Sequence, residues 1–447
     1  MTWSEMILRK KLIRSDSFWT SRALYRDPIR RLAIFLDTQV LMRSQYWPRE
    51  RIDHLVDLRL RDLAERIASI PLWKERFAKA GLHPAHLSRD TLVRLPLLTK
   101  AIFYENDRSF YTDIAKLEKS HVDHTSGSTG KPLQFYLDWR AELRYFAIRD
   151  RMFRVVSGGD VLPVVYFRGR VNPGFFFGRH HLFYLKGYNA IKSRLDAFVA
   201  LVRSLRSPFV LYGYSSSMVE LARRLAERGA HIPLRAIVAT GEGIRESDRA
   251  FIESALDTRF FLTYATWEVK WIGHECAYRR CHLNEEYVYV EILGDHDEVL
   301  PDGAEGRIVV TSFESESMPF VRYAVGDRGV ISREQCPCGR TSRTIQVYGR
   351  TSDIIELPGG RVVPLFDVST AFDKFASSVR QYRVTQISLS AFRVQLVVTS
   401  VFNPDVQRML ESHLIALLHP EVSITWEISD EIVSAPSGKA AYFVREM

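Results

Sequence analysis

Short apolar runs alternate with helical patterns between residues 135 and 260, and this alternation constrains the fold most. The runs VLPVVYF (161–167), FVLYGY (209–214) and AIVATGE (236–242) are expected to be buried strands. The segment SSMVELARRLAERGA (216–230) has a helical pattern with a glycine near its C-terminal end. Strands and helices in this order predict βαβ units around a parallel sheet. Ligands of such sheets bind beyond the carboxyl ends of the strands, where two of these runs reach glycine-rich turns.

The segment before this region is expected to be helical. In RIDHLVDLRLRDLAERIASI, apolar residues recur every three or four positions, which is the pattern of one face of an amphipathic helix. These residues are Ile52, Val56, Leu60, Leu63 and Ile67. A proline at position 71 predicts the end of the helix, because proline disfavours helical geometry in the residue before it.

The segments after this region have other patterns. Residues 286–332 carry short strand patterns separated by turns. Farther along, ISLSAFRVQLVVTS (387–400) is expected to hold two half-buried strands, residues 404–418 a helix that begins with proline, and VSITWEI (422–428) another strand. The predicted fold is a large N-terminal α/β domain with parallel-sheet βαβ units and a β-rich subdomain, followed by a small α+β C-terminal domain. The predicted boundaries are 1–349 for the N-terminal domain (helical start 1–100, α/β core 101–285, β-rich subdomain 286–349), 350–353 for a hinge and 354–447 for the C-terminal domain.

A loop rich in glycine and hydroxyl residues, TSGSTGKPL (125–133), is the strongest binding signal in the chain. Glycines let the backbone N–H groups converge on an anion, the hydroxyls add donors, and the lysine adds a positive charge. Its spacing is not that of a Walker A loop, which has four residues between its glycines and a Ser or Thr after the lysine. A polar surface turn is the ordinary alternative. The candidate phosphate-binding residues are Thr125, Ser126, Gly127, Ser128, Thr129, Gly130 and Lys131.

This loop resembles the phosphate-binding loop of the adenylate-forming superfamily, and the chain is most similar to the phenylacetate–CoA ligase and CapK-like branch. The resemblance covers nearly the whole chain, because further motifs follow in the order of the family. These motifs are ATGEGI (239–244), YATWE (264–268), YAVGD (323–327), GRTSD (349–353) and PSGKAAYF (436–443). The resemblance implies a large N-terminal domain with a mobile C-terminal lid. It also implies ATP-dependent activation of a carboxylic acid as an acyl-adenylate, with release of pyrophosphate.

The resemblance also implies which residues contact the nucleoside part of ATP. Gly241 and Glu242 would lie on the adenine side, and Tyr264 would stack on the adenine ring. Asp327 would accept hydrogen bonds from both ribose hydroxyls, a role that suits a carboxylate, and Arg350 would reach the ribose.

The candidate catalytic residues implied by the resemblance are Lys439, Glu268 and Lys131. Glu268 would ligate the Mg²⁺ that bridges the ATP phosphates, and Lys131 would hold the β- and γ-phosphates. Lys439 would bridge the attacking carboxylate and the α-phosphate, and Asp353 would be the pivot on which the lid closes. Closure would exclude water and protect the labile adenylate.

The acyl acceptor is not fixed by the sequence. Coenzyme A is the default acceptor of the branch, but Ser352 stands where a second aspartate is typical, and the arginine often found after the catalytic lysine is missing. Transfer to an amine or an alcohol therefore remains open. Within YATWE, Ala265 and Trp267 also depart from the family pattern, so the shape of the pocket is open. Aromatic residues follow the glycine loop (Phe135, Tyr136, Trp139, Tyr145 and Phe146). They are compatible with an aromatic acid and equally with an ordinary core.

The cysteines predict a structural zinc site. Cys276 and His282 have the spacing C-x5-H, and Cys336 and Cys338 the spacing C-x-C, which together make a Cys3His set suited to tetrahedral zinc. Cys281 is the spare thiol or a substitute for His282. The alternative is a set of reduced cysteines without metal.

Composition sets the remaining expectations. The net charge is +9, from 62 Lys and Arg against 53 Asp and Glu, but no nucleic-acid motif accompanies it, so a solvated basic surface is favoured. No apolar run reaches 18 residues and no signal peptide is recognised, which predicts a cytoplasmic protein without a membrane span.

A homodimer would suit the branch. GYSSS (213–217) approaches the nucleophile elbow of serine hydrolases but lacks the closing glycine, which makes a hydrolase an alternative. A non-catalytic nucleotide-binding scaffold is another.

Overall fold

The computed structural model describes residues 27–117, 120–125, 132–168, 176–177, 180–184, 190–350, 354–432 and 442–447. Its α-helices are α1 (Pro28–Ser44), α2 (Arg49–Ile67), α3 (Pro71–Lys79), α4 (Arg89–Leu92), α5 (Lys100–Glu105), α6 (Arg108–Tyr111), α7 (Ile114–Leu117), α8 (Trp139–Val156), α9 (Ala190–Ser204), α10 (Ser215–Glu227), α11 (Glu246–Leu256), α12 (Leu365–Asp373) and α13 (Pro404–Leu417). Among the described residues, no helix is both long enough and apolar enough to cross a lipid bilayer.

The strands are β1 (His121–His124), β2 (Gln134–Leu137), β3 (Val164–Arg168), β4 (Phe176–Phe177), β5 (His180–Tyr184), β6 (Phe209–Tyr214), β7 (Leu234–Thr240), β8 (Arg259–Thr266), β9 (Lys270–Glu275), β10 (Cys281–Leu283), β11 (Val288–Leu293), β12 (Glu305–Ser312), β13 (Tyr323–Ser332), β14 (Thr344–Arg350), β15 (Ile354–Glu356), β16 (Val362–Pro364), β17 (Val379–Gln386), β18 (Ala391–Val398), β19 (Ser423–Ile428) and β20 (Phe443–Arg445). The chain forms two compact units. The first comprises the described residues of Met1–Val161 and Phe261–Val347, and the second those of Leu162–Phe260 and Tyr348–Met447.

The first unit combines the N-terminal helices with antiparallel strands. The predicted amphipathic helix is α2, and the five apolar residues of its stripe are all buried. Strands β11, β12 and β13 are neighbours in the order β11-β12-β13, and β11/β12 and β12/β13 pair antiparallel, as the short strand patterns with turns predicted. Along β13 buried and half-buried residues alternate, which is typical of a strand with one face on the core. A separate hairpin of β1 and β2 pairs His124 with Gln134 at the end next to the connecting loop.

A buried arginine joins several elements of the first unit. Arg151 on α8 donates to Glu286 Oε1 at 2.8 Å, to Asn284 Oδ1 at 2.6 Å and to the Leu41 carbonyl oxygen at 3.3 Å. Ser44 donates to the same Glu286 oxygen at 2.5 Å. Burial opposes ionisation of Glu286, but Arg151 and the hydrogen bonds hold the pKa of that carboxyl below its usual value. Helices α1 and α8 are therefore tied to the segment before β11 through one buried ion pair.

Replacing Arg151 by methionine is expected to destabilise this unit by about 3–5 kcal/mol, because Glu286 would remain as a buried charge without its cation. The measurement is the free energy of unfolding from urea titration. Arg140→Met on the same helix is the matched control, since its side chain is 63% exposed, and we expect a change within about 0.5 kcal/mol. Equal urea midpoints for Arg151→Met and Arg140→Met would contradict the role of the ion pair.

The second unit contains the predicted parallel sheet. Strand β3 pairs parallel with β5 and β6, and β6 pairs parallel with β7. The run at 209–214 coincides with β6, and the helix predicted at 216–230 is α10. The strand predicted at 236–242 is β7, which begins at Leu234 and ends at Thr240. Gly241 follows with a φ of 76°, a left-handed conformation that turns the chain.

The C-terminal part of this unit is the predicted small α+β arrangement. Its sheet has the order β19-β18-β17-β20, in which β17 and β18 are antiparallel and the outer pairs are parallel. Residues from α12 and α13 pack with the sheet in one apolar core. Helix α13 begins with the predicted proline after an Asn403 cap, and β19 matches the strand predicted at 422–428.

The prediction of two strands within residues 387–400 is wrong. Strand β17 ends at Gln386, and β18 is the strand present in that stretch. Ile387 and Leu389 lie in the connecting turn and are 42% and 45% exposed. The turn is favoured because the Ser388 hydroxyl accepts from the backbone N–H of Ala391 at 3.1 Å, which competes with strand pairing.

Residues of the C-terminal part also contact the start of α11. The Ser247 hydroxyl donates to Asp373, and Arg245 donates to the Arg380 carbonyl oxygen at 3.2 Å. The Arg245 guanidinium also lies 5.9 Å from the ring centroid of Tyr382. These contacts hold the C-terminal sheet in the same compact unit as α11. The domain boundary at residues 350–353 stays a prediction.

Candidate active site and metal centre

The predicted phosphate loop connects the two strands of the β1–β2 hairpin. The Thr125 backbone N–H donates to the Leu133 carbonyl at 2.9 Å, and the Leu133 N–H donates to the Thr125 hydroxyl at 2.9 Å. Thr125 is therefore fixed at the start of the connection. The other candidates in this loop lie outside the described residues, so their contacts with phosphate stay predictions: Ser126, Gly127, Ser128, Thr129, Gly130 and Lys131.

Glu268 lies in the turn between β8 and β9, where its side chain is 7% exposed. The Tyr323 hydroxyl donates to Glu268 Oε1 at 2.9 Å, and Lys100 Nζ lies 3.3 Å from the same oxygen. A buried carboxylate is expensive unless it is paired and hydrogen-bonded, and here it is both. The carboxylate of Glu268 already has the Lys100 ammonium group beside it. A carboxylate that attracts one cation at this position is also suited to ligate a metal ion.

The candidate ribose ligand Asp327 lies next to the candidate adenine residue Tyr264. The Tyr264 hydroxyl donates to Asp327 Oδ2 at 2.8 Å, and Asp327 is 8% exposed. The two residues come from β8 and β13, which carry the motifs YATWE and YAVGD. Glu268 and Tyr323 also come from these two motifs. Two side-chain hydrogen bonds therefore connect residues that are about 60 positions apart in the chain.

A lysine that the motif analysis missed connects this region to the phosphate-loop hairpin. Lys270 Nζ lies 3.1 Å from Asp123 Oδ2 on β1, and it faces the rings of Phe135, Trp267 and Tyr145 at 5.0, 5.2 and 5.9 Å. These distances are within the range of cation–π attraction. The unusual Trp267 of the YATWE motif thus forms part of an aromatic cage around a buried ammonium group. The nearest signal in the sequence was a lysine two residues after Glu268.

Other predicted nucleotide residues belong to the second unit. Gly241 follows β7, and the Glu242 carboxylate accepts from the Ser216 backbone N–H at 3.0 Å at the start of α10. The Glu242 carbonyl oxygen accepts from the Ser215 hydroxyl at 3.1 Å. Both interactions join the start of α10 to the turn after β7, so the Ser215 hydroxyl of the elbow-like GYSSS sequence has a structural partner. Arg350 is half-buried at the end of β14. Asp353 and Lys439 lie outside the described residues.

The four predicted zinc ligands meet in the first unit. The ligand atoms of Cys276, His282, Cys336 and Cys338 all lie within 4.8 Å of one another. Cys276 Sγ is 3.6 Å from Cys336 Sγ, and Cys338 Sγ is 3.3 Å from His282 Nε2. Sulfur atoms in a tetrahedral zinc site lie about 3.8 Å apart, because each Zn–S bond is about 2.3 Å long. The donor set therefore fits a tetrahedral metal with four protein ligands.

The surroundings of His282 favour metal binding. Its Nδ1 atom lies 3.1 Å from the Ser342 hydroxyl, which orients the ring so that Nε2 faces the thiols. Burial and the Arg340 guanidinium lower the pKa of His282 to about 4, so the imidazole is neutral near pH 7 and can act as a ligand.

Cys281 is not in this set. It precedes His282 on β10, so the two side chains point to opposite faces of the strand. The Cys281 sulfur packs against Gly273, where a Cβ atom would lie 3.0 Å from it. Burial raises the pKa of the Cys281 thiol far above its usual value. The structure thus groups His282, rather than Cys281, with the other three candidate ligands.

Comparison with known proteins agrees with the predicted fold. No family model matches the chain. The chain is similar to phenylacetate-coenzyme A ligase of Thermus thermophilus, with 26% identity over 334 residues, or 71% of this chain and 74% of the relative. It is also similar to Protein CapK of Staphylococcus aureus, with 22% identity over 395 residues, or 84% and 85% of the two chains.

Among solved structures, the chain is similar to 2-hydroxyisobutyryl-CoA ligase in the postadenylation state, in complex with R3-HIB-AMP. The TM-score is 0.73 at 16% identity, and the match covers 90% of this chain and 93% of the other. The fold is therefore that of the adenylate-forming enzymes. The relatives that the sequence matches are phenylacetate-coenzyme A ligases and Protein CapK, the same branch that the motifs of the chain resemble.

Proposed function

We propose that this AMP-forming ligase activates a carboxylic acid with MgATP and then transfers the acyl group to coenzyme A. The observation that supports this proposal is the meeting of the YATWE and YAVGD motifs through Tyr264–Asp327 and Tyr323–Glu268. The first pair offers a carboxylate for ribose hydroxyls beside an aromatic ring for adenine. The second offers a buried carboxylate for the metal ion that accompanies ATP. A nucleotide and its metal ion need both groups close together.

The chemistry follows from the charges of the reactants. A carboxylate oxygen of the acid attacks the α-phosphorus, the bond to the bridging oxygen breaks, and pyrophosphate leaves. The thiol of coenzyme A then attacks the acyl carbon, loses its proton, and AMP leaves. Both reactants of the first step are anions, so catalysis depends on positioning and on neutralising charge. Mg²⁺ supplies positive charge to the phosphates when it is bound, and Glu268 is the residue that we assign to hold it.

The other assigned roles are those that the resemblance implies. Asp327 accepts hydrogen bonds from the ribose, and the hydroxyl of Tyr264 positions that carboxylate. Lys131 and the glycine loop hold the β- and γ-phosphates, and Lys439 neutralises the attacking carboxylate and the α-phosphate. Asp353 is the pivot of the C-terminal lid.

We propose an arylacetic or related aromatic acid as the first substrate class to test, because the relative from Thermus thermophilus is named for phenylacetate. The aromatic residues after the glycine loop do not support this choice. Phe135 and Phe146 are fully buried, and Tyr145 stacks on Trp271 with ring centroids 5.6 Å apart. Phe135 and Tyr145 face Lys270, and Phe146 packs against Tyr145, so these rings have partners within the protein.

The experiment is pyrophosphate release from MgATP across aryl, fatty, amino and sugar acids, first without an acceptor and then with coenzyme A, amines or alcohols. We expect acid-dependent release of AMP and pyrophosphate, and an acyl thioester when coenzyme A is added. Formation of an amide or ester instead would support the alternative acceptor. Absence of acid-dependent release with every acid, despite ATP binding, would contradict the proposal. Ester hydrolysis without ATP would favour a hydrolase.

We also propose that Cys276, His282, Cys336 and Cys338 bind one structural zinc ion. Four protein ligands leave no open position for substrate, so the metal stabilises the fold rather than the reaction. Cys336→Ser is expected to abolish the bound zinc, measured by elemental analysis, and to destabilise the protein by about 4 kcal/mol, the size of effect that loss of a metal reaches. Cys281→Ser is the matched control and is expected to retain the zinc. Equal zinc content in the two variants would contradict the assigned ligands.

A further inference from the structure

Lys100 is a cation at the candidate active site that no motif of the chain assigns. Its Nζ atom lies 3.3 Å from Glu268 Oε1, and its side chain is 31% exposed. It is therefore the more accessible partner of a carboxylate that is only 7% exposed. The other partner of that oxygen, the Tyr323 hydroxyl, is neutral and buried.

The backbone holds Lys100 at this position. The Leu98 N–H donates to the Arg322 carbonyl at 2.9 Å, and the Ala324 N–H donates to the Leu98 carbonyl at 2.9 Å. Leu98 thus pairs with the strand on both sides of Tyr323. Lys100 follows two residues later, at the first position of α5. The site of the lysine is fixed, but its long side chain keeps rotational freedom at its exposed end.

Lys100 and the Mg²⁺ assigned to Glu268 would both lie beside the same carboxylate, and this would bring Lys100 near the phosphates of ATP. Oxygen atoms that share one Mg²⁺ lie about 3 Å apart, because each Mg–O bond is about 2.1 Å long. If Glu268 holds the Mg²⁺ of ATP, phosphate oxygens would lie beside its carboxylate, within reach of the long Lys100 side chain. With Mg²⁺ at Glu268, repulsion between the two cations would favour pairing of Lys100 with the phosphate rather than with the carboxylate.

We propose that Lys100 is a further phosphate-binding residue of the reaction, which pairs with Glu268 in the nucleotide-free protein and binds the β- and γ-phosphates and the departing pyrophosphate during adenylation. This role rests on the proposed function. It adds a positive charge where pyrophosphate gains negative charge as the α–β bond breaks, so the lysine stabilises the transition state as well as the bound nucleotide. The lysine forms no covalent bond and transfers no proton.

The test compares binding of two ligands by calorimetry. Lys100→Met is expected to weaken binding of inorganic pyrophosphate with Mg²⁺ by about 10–100-fold, the range for one hydrogen bond between charged groups. Binding of AMP, which lacks the β- and γ-phosphates, is expected to stay within about twofold. Lys100→Arg keeps the charge and is expected to recover most of the affinity. Lys79→Met is the matched control, because Lys79 is an exposed lysine that pairs with Glu75 on a surface helix.

A second comparison separates contact with phosphate from an effect through Glu268. In the Glu268→Gln background the carboxylate charge is absent, so a lysine that only positions Glu268 would have no further effect when it is removed. A lysine that touches phosphate would still weaken pyrophosphate binding. We expect the loss to persist in the double variant. If Lys100→Met proves unstable in melting experiments, Lys100→Gln gives the same comparison.

The outcomes distinguish this inference from the proposed function. Acid-dependent pyrophosphate release by the wild type, together with unchanged pyrophosphate binding by Lys100→Met, would overturn the role of Lys100 and leave the function in place. Loss of the effect in the Glu268→Gln background would also overturn it. Absence of acid-dependent release by the wild type would contradict the proposed function, whatever Lys100 binds.

Discussion

Replacing Glu268 by glutamine is expected to lower acid-dependent pyrophosphate release by about 100- to 1,000-fold, the loss typical of one preorganised electrostatic group at a reaction centre. Glutamine has the same shape as glutamate but carries no charge, so it is a poor ligand for Mg²⁺. The fold is expected to tolerate the change, because Tyr323 can still donate to the amide oxygen. The measurement is kcat as a function of Mg²⁺ concentration at saturating ATP.

Two variants serve as controls for this prediction. Tyr323→Phe removes the hydrogen bond to Glu268 but keeps the charge, and we expect a loss of about tenfold. Glu305→Gln changes an exposed carboxylate that pairs with Arg328 at the surface, and we expect no change in kcat. Wild-type activity in Glu268→Gln at every Mg²⁺ concentration would contradict the assignment of Glu268.

Replacing Lys439 by alanine is expected to abolish adenylation almost completely, with a loss of about 1,000-fold or more in pyrophosphate release. The residue is assigned to the space between the two anions that must approach each other, and no other step depends on charge neutralisation so strongly. Lys374→Ala is the matched control, since it removes an exposed lysine of the C-terminal part that contacts His413. Equal release by wild type and Lys439→Ala would contradict the role of Lys439.

The second half-reaction, transfer of the acyl group, gives a more specific test of the role of Lys439. Transfer of the acyl group from a preformed acyl-adenylate to coenzyme A begins after pyrophosphate has left, so the two anions no longer approach each other. We therefore expect Lys439→Ala to keep transfer within about tenfold of the wild type, measured by thioester formation from synthetic adenylate. Loss of both half-reactions would indicate that the variant is misfolded or that the lysine positions the whole lid.

Local patterns predicted much of the fold. The stripe from Ile52 to Ile67 predicted α2, because helical periodicity and burial agree along that segment. The boundaries of β6 were also predictable, because apolar residues and turn residues change sharply at its ends. The turn that begins at Ile387 was not predictable from the sequence. Two alternating apolar residues resemble a strand, but they are too few to outweigh the turn that the Ser388 hydroxyl stabilises.

The candidate site was predictable where motifs exist and not elsewhere. Glu268 and Asp327 could be chosen as candidates from the sequence because they stand in recognisable motifs. Lys100 and Lys270 were missed because their partners lie far away in sequence: Lys100 contacts Glu268, and Lys270 contacts Asp123, 147 positions earlier. The set of zinc ligands needed the structure too, because neighbouring residues of a strand face opposite sides and spacing alone left Cys281 and His282 open.

The proposed zinc site would have a consequence for folding during synthesis, because its ligands are far apart in the chain. Cys276 and Cys336 are 60 positions apart, and the chain between them contains β11, β12 and β13. A ribosome that adds about 5–20 residues per second reaches Cys336 roughly 3–12 s after Cys276. A metal that joins the four residues closes a long loop, which removes about 4 kcal/mol of chain entropy from the unfolded state, by analogy with a covalent crosslink of that length. If the four residues bind zinc as proposed, complete coordination would be possible only after the intervening strands have been synthesised, and it would stabilise chains in which those strands have brought the two pairs of ligands together.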